Sequence, residues 1–146
     1  MLRVVRGPTR LRPWKLLVAL RLWVWLLEVR LSLQRQPLPD VVRRLERAPR
    51  FPVRPLDPLR LSKISYRTLR VGQQRPTCLL RSLVHFRYLR AQGDLAELVI
   101  GLPEEPTRKE AHAWIEIDGV DVGPPPGRAG HIAWVRYPDR NCESFT

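Results

Sequence analysis

Fifteen prolines in a chain of 146 residues limit where its helices and strands can begin and end. Proline has no backbone N–H to donate and disfavours helical backbone at the residue before it, so it opens helices and interrupts them. Pro37 and Pro39 close an N-terminal arm. A linker of extended character follows, punctuated by prolines at every third position: Pro49, Pro52, Pro55 and Pro58. The length suits one domain with a buried core and abrupt element ends.

The arm contains two predicted helices. The first covers the apolar stretch 14–33, and the second runs from Val41 to about Ala48 with Asp40 as its N-cap. The first stretch is apolar nearly all round, which is more apolar surface than a helix of a small domain usually buries. We therefore expect either a central core helix or a helix that also docks on a partner protein or a membrane surface.

The apolar stretch is neither a membrane span nor a secretory signal. Only twelve residues lie between Lys15 and Glu28, and Arg21 interrupts them, whereas a span needs about 20 largely uncharged residues. No small-x-small cleavage site follows the stretch. We therefore expect a cytoplasmic protein in which Cys78 and Cys142 are free thiols.

Two more helices are predicted after the linker. Asp57 can cap the first of them, with Pro58 at its first position, and Gly72 ends it. The second covers residues 78–90, and Thr77 is placed to act as its N-cap. Both helices carry apolar residues at helical spacing, which indicates that each buries one face.

After Gly93 the hydrophobic period changes from 3.6 to 2, which is typical of strands. The predicted strands cover residues 95–100, 111–117, 120–123 and 132–137. The second and third are joined by Asp118-Gly119, a strong two-residue hairpin signal. Helices first and an antiparallel sheet afterwards make an α+β protein.

The positive charge of the chain is concentrated in the arm. With 26 Lys and Arg against 14 Asp and Glu the net charge is +12. Residues 1–54 hold 13 basic and 3 acidic residues, a net of +10, and residues 55–146 hold 13 and 11, a net of +2. We interpret 1–54 as a basic helical arm and 55–146 as the core of one structural domain. The arm is either a docking surface for an anionic partner or a solvated face.

A cysteine and a histidine together suggest nucleophilic catalysis. Cys78 stands at the first turn of a predicted helix, where unpaired amides and the helix dipole favour a thiolate over a thiol. His112 enters a predicted strand just before the hairpin. A nucleophile and its general base require such a pair, although a buried cysteine can equally be inert and a strand histidine simply packed.

Other partners for the thiol are weaker. His85 lies seven residues further along the same helix, about 10.5 Å away at 1.5 Å per residue, too far to hydrogen-bond the sulfur. His131 begins another strand and is a second possible base. Two cysteines far apart in the chain do not resemble a zinc site, and no phosphate-binding glycine pattern exists. The sequence therefore predicts neither a metal nor another cofactor.

At these residues the chain resembles a known family. The segment 78–83 (CLLRSL), the strand ending at Gly101, and the segment 112–116 (HAWIE) occur in the order and spacing of the leader peptidase of lasso-peptide biosynthesis. The resemblance covers residues 57–137. It implies a transglutaminase-like, papain-related cysteine-protease core that cuts the leader from a ribosomally made precursor. It also implies the split form of the enzyme, in which a separate small protein recognises the leader and an ATP-dependent cyclase acts afterwards.

Carried over to this chain, the resemblance makes Cys78 the nucleophile and His112 its general base and acid. The backbone N–H of Cys78 is a natural donor to the oxyanion of the tetrahedral intermediate. Gln73 or Gln74, just upstream, is the candidate for a second donor.

The third catalytic residue departs from the family pattern. The family's acid lies about twelve residues beyond the histidine, where this chain has Pro124. Asp121 is the nearest acid, but a two-residue hairpin pairs it with Glu116, about 13 Å along the strand from His112. We assign Asp118 to the turn and Glu116 to the solvent face of the sheet, and keep Asp121 as the candidate acid. A backbone carbonyl could orient the histidine instead, or the pair could act alone.

Three alternative functions remain open. A small nucleic-acid-binding module would explain the net charge and the five tryptophans, but those in the arm stand among leucines, so we expect no nucleic-acid partner. A catalytically inactive scaffold of the same fold would explain the missing acid. An enzyme that uses an amine instead of water as acyl acceptor would act as a transglutaminase. In each case the arm can also make peripheral contact with a membrane.

Overall fold

The computed structural model describes residues 12–50, 54–70, 76–105, 107, 110–124 and 126–138. Within these residues, helices precede strands along the chain. The helices are α1 (Pro13–Arg35), α2 (Leu38–Arg47), α3 (Pro58–Thr68) and α4 (Cys78–Gln92). The strands are β1 (Ala96–Pro103), β2 (His112–Ile117), β3 (Val120–Gly123) and β4 (His131–Tyr137). The predicted α+β class is confirmed.

The helix ends follow the capping chemistry of the sequence, with one exception. Asp57 accepts a hydrogen bond from the Arg60 amide, and the Thr77 side chain accepts one from the Leu80 amide. The prediction of Asp40 as an N-cap is wrong, because α2 begins at Leu38 with Pro37 as its cap and Asp40 lies in the first turn.

The physical reason is that proline has a fixed φ that suits the first helical turn. The two prolines before Asp40 therefore start α2 earlier than the carboxylate alone suggested. Thr68 is the last residue of α3, and Gly72, the predicted end, lies outside the described residues. At the other end of α4, Gly93 adopts a φ of 103°, the left-handed conformation that favours glycine.

The four strands form one antiparallel sheet in the order β3-β2-β1-β4. On β1 and β2 alternate residues face the helices, among them Leu98, Ala113 and Ile115, which join the main apolar cluster. Their neighbours on the strands, such as Val99 and Trp114, are equally buried but belong to the opposite face. Both faces of the central strand pair are therefore covered.

The sheet rests on α4, which also contacts α1, α2 and α3. Its closest tie to the sheet is a hydrogen bond of 2.8 Å from the Ser82 hydroxyl to the Ala113 carbonyl. Both residues are small, so the helix can approach β2 closely. This contact sets the position of the start of α4 relative to the start of β2.

Helix α1 has two apolar faces. One face packs on the core through Val18, Leu22, Trp25, Leu26 and Val29. The opposite face exposes apolar side chains over four turns: Leu16, Leu17, Leu20, Trp23, Val24, Leu27 and Leu31. The helix therefore contributes to the core and still presents an apolar stripe, which we call the α1 outer face. Among the described helices none has the length and apolarity to cross a membrane.

Candidate functional site

Cys78 is the first residue of α4 and is partly buried against the apolar cluster. The first amides of an α-helix have no partner within the helix. The Thr77 side chain satisfies the Leu80 amide, and the Thr77 carbonyl satisfies the Arg81 amide. The cap thus leaves the amides of Cys78 and Leu79, next to the sulfur, as the donors that can face a negative charge.

His112 opens β2 and is directly opposite Gly101 of β1. Its side chain is only 9% exposed, and its Nε2 is buried without a hydrogen-bond partner among the described residues. Burial lowers the pKa of His112, and the nearby charges of His131 and Arg81 lower it further, while Asp121 raises it. The imidazole is therefore neutral at pH 7, the form in which it can take a proton.

The chain path brings the Cys78 and His112 ends of their elements together. Three residues separate α4 from β1, so β1 runs back along the helix and ends level with its start. His112 pairs with Gly101 near that end of β1. Ser82, one helical turn after Cys78, holds the carbonyl of Ala113, the residue after His112.

No hydrogen bond joins the Cys78 thiol to His112 Nε2, since that nitrogen has no partner within the described part of the chain. In enzymes without substrate such catalytic hydrogen bonds are often long and tighten in the complex. The common end of the helix and strand, a free thiol and a neutral imidazole are the elements of a nucleophile and its base.

The imidazole of His112 forms a triangle with two other aromatic rings, those of Trp114 and His131. The His112 ring is nearly parallel to the Trp114 indole, at 18° with centroids 6.2 Å apart, and its centroid is 5.3 Å from that of His131. Both nitrogens of His131 face carbonyl oxygens, Nδ1 that of Ala129 at 2.9 Å and Nε2 that of Glu110 at 3.3 Å. Because a carbonyl oxygen only accepts and a neutral imidazole has a single N–H, His131, the second possible base, can donate to one of these carbonyls at a time.

Asp121 pairs with Glu116, as the hairpin predicted, and a bulge follows, so that Gly123 pairs with Ile115. Its carboxylate accepts hydrogen bonds from the amides of Gly123 at 2.8 Å and Arg128 at 2.7 Å. Its charge reaches His112 and raises the pKa of that histidine. Asp121 therefore organises the loop after β3 and acts on the imidazole through its charge.

The role of Asp121 can be tested by Asp121→Asn. The amide offers one oxygen to two backbone donors, so we expect a loss of about 1–3 kcal/mol in the free energy of unfolding. We expect kcat to fall much less than the roughly 10⁴-fold loss seen when the orienting acid of a catalytic triad is replaced. Urea unfolding measures the change in stability, and steady-state kinetics measure the change in kcat. A triad-sized loss of kcat in a stable variant would contradict this assignment.

Glu116 corrects a prediction. It was expected on a solvent face, but its side chain is 0% exposed. One oxygen accepts a hydrogen bond of 2.8 Å from Trp114 Nε1, and the other accepts one of 2.6 Å from Arg136 Nη1. Arg136 also forms an ion pair of 3.5 Å with Glu97, which lies directly opposite Glu116 on β1. Two facing carboxylates repel each other unless a cation lies between them.

The sequence contained part of the signal for the contacts among Trp114, Glu116 and Arg136. Trp114 and Glu116 are two residues apart on one strand, so their side chains lie on the same face. The sequence did not show that β4 would bring Arg136 across β1 to that face. Trp114, fully buried beside the candidate base, is the residue of this site that sequence reasoning did not single out.

Two predicted site residues, Gln73 and Gln74, lie outside the described residues, as does Cys142. Pro124, which occupies the position of the family's acid, is buried directly after β3. No group of three or more potential metal ligands occurs among the described side chains.

The chain matches a known protein family. The profile of the transglutaminase-like superfamily matches residues 23–136, which include most of α1, all of α2 to α4 and nearly the whole sheet. No curated protein and no solved structure shows significant similarity to the chain.

Proposed function

Because the chain belongs to the transglutaminase-like superfamily, we propose that it is a cysteine peptidase that removes the leader from a lasso-peptide precursor. The superfamily includes cysteine proteases and transglutaminases. The observation that carries the proposal is the thiol of Cys78 at the start of α4, at the same end of the fold as the neutral, buried imidazole of His112. The order of these residues resembles that of the lasso-peptide leader peptidases.

In the proposed reaction, His112 takes the proton of the Cys78 thiol, and the sulfur attacks the carbonyl carbon between leader and core peptide. The backbone amide of Cys78, with Gln73 or Gln74 as second donor, binds the oxyanion of the tetrahedral intermediate. The C–N bond then breaks, His112 gives its proton to the departing amine, and the leader remains attached as a thioester. Water, deprotonated by His112, hydrolyses that thioester and regenerates the thiol.

The imidazolium that forms during this cycle needs compensation. Asp121 supplies a negative charge near His112, in place of the acid that the family has where this chain carries Pro124. A Cys–His pair without a directly bonded carboxylate works less efficiently than a full triad. We therefore expect a slow peptidase, whose rate depends on how well its partners position the substrate.

The proposed partners are the leader of the precursor, a separate recognition protein that presents it, and an ATP-dependent cyclase. The α1 outer face is the proposed docking surface for the recognition protein. Its apolar stripe belongs to the arm, which carries a net charge of +10 over residues 1–54. An apolar centre is usual in a protein interface, and the net positive charge of the arm favours an acidic partner.

One experiment tests the function. The protein is mixed with a leader-containing precursor, with and without the recognition protein, and the product masses are measured. Cleavage at the junction between leader and core supports the proposal. A mass gain from an added amine would indicate a transglutaminase. Unchanged precursor, together with equal slow labelling of Cys78 and Cys142 by iodoacetamide, would indicate an inactive scaffold.

The docking surface is tested by Leu20→Glu, with Leu59→Glu as the matched control. Leu20 is 63% exposed on α1, and Leu59 is 54% exposed on α3. Exposed positions tolerate such changes. The free energy of unfolding of each variant should therefore lie within about 0.5 kcal/mol of that of the unchanged protein.

We expect Leu20→Glu to weaken binding of the recognition protein about tenfold or more, because it places a charge in an apolar interface, and Leu59→Glu to leave it unchanged. Binding is measured by titration calorimetry. Equal affinity for both variants would overturn the assignment. If Leu20→Glu binds the recognition protein normally but no longer binds anionic vesicles, the face would be assigned to a membrane.

A further inference from the structure

We propose that Trp114 and Glu116 are positioning residues for His112. The Trp114 indole, held by the buried Glu116 carboxylate, forms the wall that orients the imidazole and keeps water from it. This inference deepens the proposed function and rests on it only for the role of His112 as the base. It assigns to packing the orienting role that the acid performs in a full catalytic triad.

The indole has no room to move toward the neighbouring strand. It crosses Gly101, the residue opposite His112, so closely that a Cβ at that glycine would lie 2.5 Å from the Trp114 ring and 2.8 Å from the Ile132 carbonyl oxygen. Trp114 is 0% exposed. The glycine thus provides the space that the six-membered ring of the indole occupies.

The indole is also held from the other end. Its single N–H donates to Glu116 Oε1 at 2.8 Å, and Arg136 donates to Oε2 of the same carboxylate at 2.6 Å. A buried carboxylate needs such donors, because burial of an unpaired charge is costly. The Arg136 guanidinium therefore holds the carboxylate from one side while its other oxygen accepts the indole N–H.

The imidazole of His112 depends on this wall. It is nearly parallel to the indole, and its Nε2 has no hydrogen-bond partner among the described residues. No described hydrogen bond fixes the ring plane at Nε2, so packing against the neighbouring rings contributes to holding it. His112 is only 9% exposed, so little water reaches the imidazole.

Charged and titratable groups face His112 from three other elements. They are Arg81 on α4, Asp121 on β3 and His131 on β4. None of these belongs to the Trp114–Glu116–Arg136 cluster, so variants of the cluster leave those charges in place. A rise in the pKa of His112 can then be attributed to lost contact and added water, because removal of the Glu116 carboxylate by itself would lower that pKa.

The test uses Trp114→Phe and Glu116→Gln in the full chain, with Glu97→Gln as the matched control. Phe keeps an aromatic ring without the N–H. Gln offers one amide oxygen to two donors, Trp114 and Arg136. Glu97 pairs with the same guanidinium but does not receive the indole hydrogen, which has only one acceptor.

We expect kcat to fall by a factor of roughly 10 to 100 in both test variants, since small displacements of a catalytic group have effects of that size. KM should stay unchanged in both test variants. Glu97→Gln should have the same kcat and KM as the unchanged protein. The acid limb of the pH–kcat profile should move to higher pH, because added water raises the lowered pKa of His112 toward its ordinary value.

A substrate-free measurement separates this inference from the proposed function. Imidazole ¹⁵N NMR follows the titration of His112 whether or not any leader is cleaved. We expect its midpoint to rise in both test variants and not in the control. If Trp114→Phe does not fold, the result for Glu116→Gln alone tests the proposal. Folded variants with an unchanged His112 titration and unchanged kcat would overturn the proposal, even for an active peptidase.

Discussion

Replacing Cys78 by alanine is expected to abolish leader cleavage, with a loss in kcat of roughly 10⁴- to 10⁶-fold, as for the removal of other catalytic nucleophiles. The fold should survive, because Cys78 is only partly buried and alanine is the strongest helix former. Mass spectrometry of the precursor measures the activity, and circular dichroism measures the fold. Full cleavage by Cys78→Ala would end the peptidase proposal.

Two further variants sharpen this prediction. Cys142→Ala, the matched control for the other thiol of the chain, should cleave normally. His112→Gln should lose nearly as much activity as Cys78→Ala, and the double variant should lose little more, because a nucleophile and its base act as a unit. Independent, additive losses would show that the two residues do not work together.

The second large effect concerns stability in acid and arises from His85. This histidine is fully buried in α4, and neither of its ring nitrogens has a hydrogen-bond partner among the residues that the structure describes. The backbones of Pro58 and Gly123 are near enough to raise its pKa slightly, but burial dominates and lowers the pKa to about 4. His85 is therefore neutral in the folded protein at pH 7.

The sign of the pH effect follows from the two states. The unfolded chain binds a proton at His85 near pH 6.5, and the folded chain only near pH 4. The folded state is thus favoured above pH 6.5, and stability is lost as the pH falls from 6.5 to about 4. A difference of this size corresponds to about 3 kcal/mol, a large part of the stability of a small domain.

His85→Leu should remove this loss. We expect the variant to be at least as stable as the unchanged protein at pH 7, since it deletes buried polar atoms without partners. Between pH 6.5 and 4 it should lose about 3 kcal/mol less than the unchanged protein. Urea unfolding at several pH values measures the difference. Leu89→Met, a volume-conserving core change in the same helix, should keep the full acid loss. Parallel curves for His85→Leu and the unchanged protein would refute this account.

Local chemistry correctly predicted where α4, the helix that carries Cys78, begins. Thr77 and Cys78 begin α4 because a hydroxyl next to a helix satisfies an amide, and that interaction depends on residues three positions apart. The hairpin at Asp118-Gly119 pairs Glu116 with Asp121 for the same local reason, since a two-residue turn sets the register of its strands. Asp40 shows the limit of this reasoning, where two prolines outweighed one carboxylate.

The surroundings of the candidate base could not be predicted in this way. Alternation along β2 places His112, Trp114 and Glu116 on one face, but whether that face is wet or dry depends on elements distant in the chain. Glu116 is buried because Arg136 arrives from β4 across β1. His131 reaches the imidazole by the same route. Strand order decides these contacts, and the hydrophobic pattern of the sequence does not predict strand order.

The sequence by itself determined the α+β order of the elements, the ends of most helices and the separation of a basic arm from a nearly neutral remainder. These properties depend on neighbouring residues, or on composition alone. Only the tertiary structure decided that α1 keeps an exposed apolar face, that His85 and Glu116 are buried, and that Trp114 packs beside His112. Burial and proximity are properties of the packed chain, because they arise only when residues far apart in sequence exclude water from each other.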